Sequence, residues 1–251
     1  MRKGIWAAMV AAIGLSGAGV ALAGAPTTNK QGFFIDLSVK ASPPIAGTAK
    51  HPRGVGIEFD SFSGNRIDGN RQFINRVIFA RFGSGFKDNA GKFPACQLQL
   101  KKLSKCSKAD QIGTGSAEAS LQGKNGAPPS FVAATLVTYN GSSYHGHPTL
   151  IAQAIIGGKP AVELDFTVAN KSSGPWGVIF TSIPAGGSTG SSLTITMFDL
   201  TIPTESRMVH GSKIHLVTAP DTCHGFWKFE LETDFTHGAP LIATDTEPCT
   251  K

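Results

Sequence analysis

Three groups of residues in this chain have types and spacings that could do chemistry. Gly186-Gly187-Ser188-Thr189-Gly190 reads G-x-S-x-G, the pattern of a nucleophile elbow, where a serine stands on a strained turn between a strand and a helix. His145 and His147 form an H-x-H pair. On a strand, that spacing puts two imidazoles on one side, where a metal could join them. Glu163 and Asp165 lie two apart in the alternating run Ala161–Ala169, so a strand would carry both carboxylates on one face.

None of the three has the surroundings its chemistry needs. Pro184 precedes the serine motif and the strand-like run Ser192–Ile202 follows it, so the helix that an elbow requires is missing. Gly146 and Pro148 favour a loop for the histidines, and a third metal ligand would have to come from His210, His215, His224, His237 or a carboxylate. Glycosidase carboxylates face each other from separate elements. Glu163 and Asp165, like Glu230 and Glu232, instead alternate with apolar neighbours, as solvent-facing strand positions do. No catalytic, cofactor-binding or metal-ligating residue is assigned from the sequence.

The four cysteines, Cys96, Cys106, Cys223 and Cys249, carry covalent rather than catalytic information. In an exported chain they make two disulfides, with three connectivities open. Spacing favours Cys96–Cys106, which flank one short helix-like turn at Gln97–Leu103. It also favours Cys223–Cys249, nearly symmetric about the turn Thr236–Pro240. Lys101, Lys102, Lys105 and Lys108 form a local basic cluster beside the first pair. With Trp176, which follows the turn Ser172-Ser173-Gly174-Pro175, they are the candidate partner surface. The simpler account of the lysines is a solvated face, since few arginines or aromatics interleave with them. Trp227, next to Cys223, reads as core packing against a disulfide.

Export is expected from the first residues. Arg2 and Lys3 precede an apolar run, Gly4–Val20, and Ala21-Leu22-Ala23 supplies a small-x-small site with cleavage after Ala23. Ala25 stands where a lipoprotein signal would need cysteine, so no lipid anchor is expected. No later stretch reaches ~18 continuous apolar residues, so no membrane span is expected in the mature chain. The net charge of +6 is mild and falls when Arg2 and Lys3 leave, which argues against nucleic acid as a partner.

The elements that would position these residues are strands. Gly32–Lys40, Val55–Phe59, Phe73–Phe82, Phe131–Tyr139, Leu150–Ile156, Ala161–Ala169 and Ser192–Ile202 each alternate or run apolar between turn signals. Asn140-Gly141 reads as a tight turn, Gly157–Pro160 as a hairpin loop, and the change of apolar phase near Met197-Phe198 as a β-bulge. About a dozen strands, 30 glycines, 15 prolines and one short helix candidate predict an antiparallel β-sandwich. After the 1–23 leader, residues 24–251 read as one domain, with 24–62 able to form a separate edge.

Several of these runs resemble a group of secreted β-rich proteins from actinobacterial-type, high-GC bacteria. The likeness is carried by Val77–Phe86, Phe93-Pro94-Ala95-Cys96, Cys106 and Ile112–Ala117. It continues through Tyr139-Asn140-Gly141 and Trp176-Gly177 to Cys223-His224-Gly225-Phe226-Trp227, Phe235 and Pro248-Cys249. It covers the chain from about Phe73 onward. Phe82-Gly83-Ser84 lacks the group's usual proline, and Ser107-Lys108 stands where Cys-Pro is common. The resemblance implies a secreted β-rich fold, supports the cysteine pairing and transfers no activity. The expected function is a secreted, non-enzymatic β-sandwich binding a cell-envelope polymer or a protein partner, with no cofactor. The alternatives are a hydrolase with a loop-borne carboxylate or His–metal site, and a carrier of apolar ligands suggested by sixteen phenylalanines.

Overall fold

The computed structural model describes residues 27–28, 32–65, 75–121, 130–183, 193–235 and 239–251. In chain order the strands are β1 (Thr27–Thr28), β2 (Phe33–Ser42), β3 (Gly56–Asn65), β4 (Asn75–Gly83), β5 (Lys87–Asp88) and β6 (Gln111–Leu121). There follow β7 (Ser130–Tyr144), β8 (His147–Ile156), β9 (Lys159–Asn170), β10 (Trp176–Ser182) and β11 (Leu193–Ile202). The series ends with β12 (Ser206–Val209), β13 (Ser212–His215), β14 (Val217–Thr218), β15 (Phe226–Phe235) and β16 (Leu241–Pro248). Twelve strands make one antiparallel sheet in the order β1-β2-β3-β11-β6-β7-β8-β9-β10-β4-β15-β16, and β5–β14 and β12–β13 form two small ribbons.

Alternation dictates which face turns inward. β2 buries Phe33, Ile35, Leu37, Val39 and Ala41 and turns the residues between them outward. β15 does the same with Trp227, Phe229 and Leu231. The sheet curls until β16 lies against β2, so that its two halves face each other across one core. A side chain spans the seam: the buried carboxylate of Asp245 on β16 accepts the N–H of Val39 at 2.6 Å. Beyond it, Ile45 and Thr250 form a parallel bridge, with Ala46 N–H donating to the Thr250 carbonyl.

Both disulfides sit at one end of this sheet. They are Cys96–Cys106 and Cys223–Cys249, the pairing expected from spacing. A polar plug fills the same end. Asn140, fully buried on β7, donates its amide to the carbonyls of Ala90, Phe93 and Pro94. Asp88 and Asn170 bond reciprocally through backbone and side-chain amide, and Asn89 donates to the His215 carbonyl and to Thr218. At the opposite end, β8 and β9 are joined by the expected hairpin turn at Gly157-Gly158. The other connections there lie wholly or partly outside the described residues.

The antiparallel all-β architecture is as the sequence predicts, and two local expectations are corrected. No helix forms over Gln97–Leu103; among the described residues the helical pieces are two 3-10 turns, Ala90–Lys92 and Lys108–Asp110. A continuous helix would hold Cys96 and Cys106 about 15 Å apart, whereas their Cα atoms stand 4.9 Å apart. The closed ring has room for one turn, with Lys102 N–H donating to the Gln99 carbonyl. Asn140-Gly141 is likewise no turn. β7 runs through it to Tyr144, and the reversal is made at His145-Gly146. Gly141 is needed because a Cβ there would meet Thr149 Oγ1 at 2.1 Å. The bulge expected in β11 is present as a register shift between Ile195 and Met197.

Candidate functional site

Between the two halves of the sheet lies a cavity of about 90 Å³. Its walls come from facing strands: Ile35, Ile57 and Phe59 on one side, and Phe82, Phe166 and Phe180 on the other. Phe82 sits 5.2 Å from Phe180 and 5.3 Å from Phe229 between ring centroids, so this wall is an interlocked aromatic cluster. Phe59 meets Phe198 edge-on across the β3–β11 pair.

The lining becomes hydroxylic away from the disulfide end. β3 points Ile57 and Phe59 inward, then Ser61 and Ser63 at the next two inward positions. Ser63 Oγ donates to the Ile195 carbonyl at 2.8 Å. The β11 bulge brings Ile195, Thr196 and Met197 to the cavity in succession, which a regular strand could not do. Thr196 Oγ1 is held by the backbone carbonyl and carboxylate of Glu118. Thr233 completes the hydroxyl set from β15. No charged side chain lines the cavity among the described residues.

The carboxylates singled out from sequence lie on the other face of the sheet, as expected. They are not solvated surface, however, because the disulfide-closed segment Cys96–Cys106 crosses over them. Glu163 accepts both the N–H and the hydroxyl of Ser104, at 2.8 Å each, and the amide of Gln153. Gln153 also donates to the Ser104 carbonyl. Asp165 lies alongside with one carboxylate oxygen buried and unpartnered. Burial, reinforced by the Glu163 charge, pushes its carboxyl up to about 7. These groups clamp a covering segment onto the sheet. In the plug, burial raises Asp88 to about 6.

His145 and His147 flank the β7–β8 reversal, both exposed, with Tyr144 packed edge-on against His145. Among the described residues no group of three or more His, Cys, Asp or Glu is placed to hold a metal. The Gly186–Gly190 motif and the 1–23 leader fall outside the described residues. Lys101, Lys102, Lys105 and Lys108 are all exposed on and just beyond the disulfide-closed segment. Trp176 is half-buried at the start of β10, while Trp227 is buried against Phe86. None of these residues lines the cavity. The residues that do were missed singly, although β3 carried a signal: its inward face turns from Ile57 and Phe59 to Ser61 and Ser63.

Comparisons of this chain with protein-family models, with curated proteins and with solved structures find no match. Two disulfides close the fold, and no helix among the described residues is long and apolar enough to cross a membrane.

Proposed function

We propose that this is a secreted, non-enzymatic binding protein that shelters an apolar ligand inside its curled sheet. The observation that carries the reading is the cavity itself, walled by Phe59, Phe82, Phe166 and Phe180 with no ionic group in its lining among the described residues. A well-packed interior leaves few voids larger than a water molecule, and an engineered apolar cavity of about 150 Å³ binds benzene. Export fits the Arg2–Ala23 leader and the two disulfides, which persist in oxidising compartments. It also agrees with the resemblance to secreted proteins of high-GC bacteria. The hydrolase alternative lacks a comparable support, because Glu163 is committed to Ser104 and Gln153.

The test is xenon titration of the mature protein followed by xenon NMR, because a cavity of this size takes a single apolar atom, alongside native mass spectrometry for a co-purified apolar molecule. Ala80 lines the cavity from β4, so Ala80→Leu places three extra carbons in the space a ligand would use. Saturable binding by the parent and at least about tenfold weaker binding by Ala80→Leu are expected, with overpacking costing about 1–3 kcal/mol of stability. A folded Ala80→Leu variant that binds xenon as the parent does would end this reading.

A further inference from the structure

We infer that the disulfide end of the sheet is a docking face for an anionic lipid surface. The inference is independent of what occupies the cavity.

The distribution of charge carries it. Four connections meet at this end: residues 43–55 between β2 and β3, 84–110 between β4 and β6, 171–175 between β9 and β10, and 203–225 between β11 and β15. Together they hold eleven lysines and arginines against four carboxylates, a net of +7. The whole chain nets +6, so everything outside these connections is net negative. The mild overall charge hides a strongly positive end. Lys101, Lys102, Lys105 and Lys108 are part of it, joined by Lys87 and Lys92 on the same connection. Lys50 and Arg53, then Lys171, then Arg207 and Lys213 come from the other three. All eleven are exposed. The carboxylates offset little, since Asp88 is buried, Glu205 is half-buried and Asp110 accepts from the N–H and hydroxyl of Ser107. Among the described residues none of the eleven cations forms an ion pair; the pairs present join Arg81 to Glu230 and Glu232 on the outer face.

The connections are tied into one platform. Gly47 N–H donates to the Pro220 carbonyl, Ala219 N–H to the Arg53 carbonyl and Asn89 N–H to the Leu216 carbonyl. Asn170 holds Asp88 at the foot of the β9–β10 connection. Cations spread over four connections suit an extended anionic face, whereas a small anion needs several of them converging on one point. Nine of the eleven are lysines, point charges without the planar fork that fits a single phosphate.

Met208 favours a lipid surface over a soluble polyanion. It is 64% exposed, the most of the exposed large hydrophobic side chains among the described residues, and it pairs across the β12–β13 ribbon with Lys213. An apolar side chain among cations fits the boundary between head groups and acyl chains.

The test is co-sedimentation of the mature protein with vesicles of phosphatidylcholine alone and of phosphatidylcholine mixed with phosphatidylglycerol. Binding is expected to the mixed vesicles only, and to be lost in about 1 M salt, where screening is complete within ~3 Å. A cation near an anionic surface is worth about fivefold in affinity. Lys101→Gln/Lys102→Gln/Lys105→Gln/Lys108→Gln should therefore bind at least about tenfold more weakly. So should Lys92→Gln/Lys171→Gln/Lys213→Gln, drawn from three connections, while Lys159→Gln at the opposite end should bind as the parent does. Met208→Ser should weaken vesicle binding by about three- to tenfold and leave binding of long-chain inorganic polyphosphate unchanged. No binding to the mixed vesicles, equal binding to phosphatidylcholine, or binding that survives high salt overturns the inference. A loss confined to the four-lysine variant overturns the extended face. Polyphosphate bound as tightly as the vesicles, with Met208→Ser without effect, assigns the end to a soluble polyanion and overturns the lipid surface.

Discussion

The two ends of the sheet are built on opposite principles. At the disulfide end, the interior is polar and extensively hydrogen-bonded, although Asn140 Oδ1 and Trp227 Nε1 are buried without a partner: Asn140 serves three carbonyls, Asp88 and Asn170 bond each other reciprocally, and two covalent bridges close the connections. Away from it, the interior is apolar and incompletely filled, with serine and threonine side chains among its lining. Buried hydrogen-bond networks specify one arrangement because every alternative leaves a desolvated group unpaired. Apolar walls tolerate a guest because dispersion and burial are nondirectional. One end is therefore suited to fixing the strands, and the other to accepting something between them.

Removing the disulfides is the strongest challenge to that division. On the chain-entropy account, Cys223–Cys249, with a sequence separation of 26, contributes about 3.5 kcal/mol, and Cys96–Cys106, with a separation of 10, about 2.7 kcal/mol. Denaturant melts of the two double-alanine variants should show that order. Xenon affinity should change by no more than about twofold, since distant sites are close to additive. A large loss of binding with little loss of stability would reverse the assignment of the two ends.

The seam between β16 and β2 comes next. Asp245 accepts from Val39 N–H through one oxygen and from Thr246 N–H through the other. Asp245→Ala leaves the buried Val39 donor without a partner and should cost about 2 kcal/mol, with Asp245→Asn recovering part of it through its remaining acceptor. If the alanine variant melts with the parent, the curl is held by packing alone and the polar device at the seam is incidental.

How far the sequence announces this arrangement depends on the range of the forces involved. The strands of the main sheet follow from local alternation, and the cysteine pairs follow from spacing about turns. The conformation of Gln97–Leu103 depends on ring closure and on Glu163, 59 residues from Ser104, so a helix-like composition misleads there. Asn140-Gly141 has turn chemistry, but its amide is used by the plug and its missing Cβ by Thr149. The cavity was the least legible feature. It is the space left between side chains from eight strands, and its one local trace is the inward pair Ser61 and Ser63 beyond the strand read at Val55–Phe59.

The smallest effect concerns the segment that passes from the disulfide end over the outer face of β8 and β9. Asp165 lies there beside Glu163, and its carboxyl is raised from 3.8 to about 7. A carboxyl that is raised in the folded state contributes stability that is complete below its unfolded value and lost as pH climbs through the folded one. The parent should therefore lose part of its stability between about pH 4 and 7. Asp88, raised to about 6, adds a loss of the same sign that ends sooner. Asp165→Asn removes the first contribution and keeps the second. Its Tm relative to the parent should therefore rise progressively from pH 4 to pH 7 and level off above that, because the amide never acquires the charge that Glu163 opposes. The matching variant, Asp88→Asn, tests the plug, and its advantage should level off about one pH unit lower. A pH-independent Tm difference for Asp165→Asn would mean that the covering segment does not bury the pair in solution. The outer clamp would then have to be removed from the fixed part of the molecule.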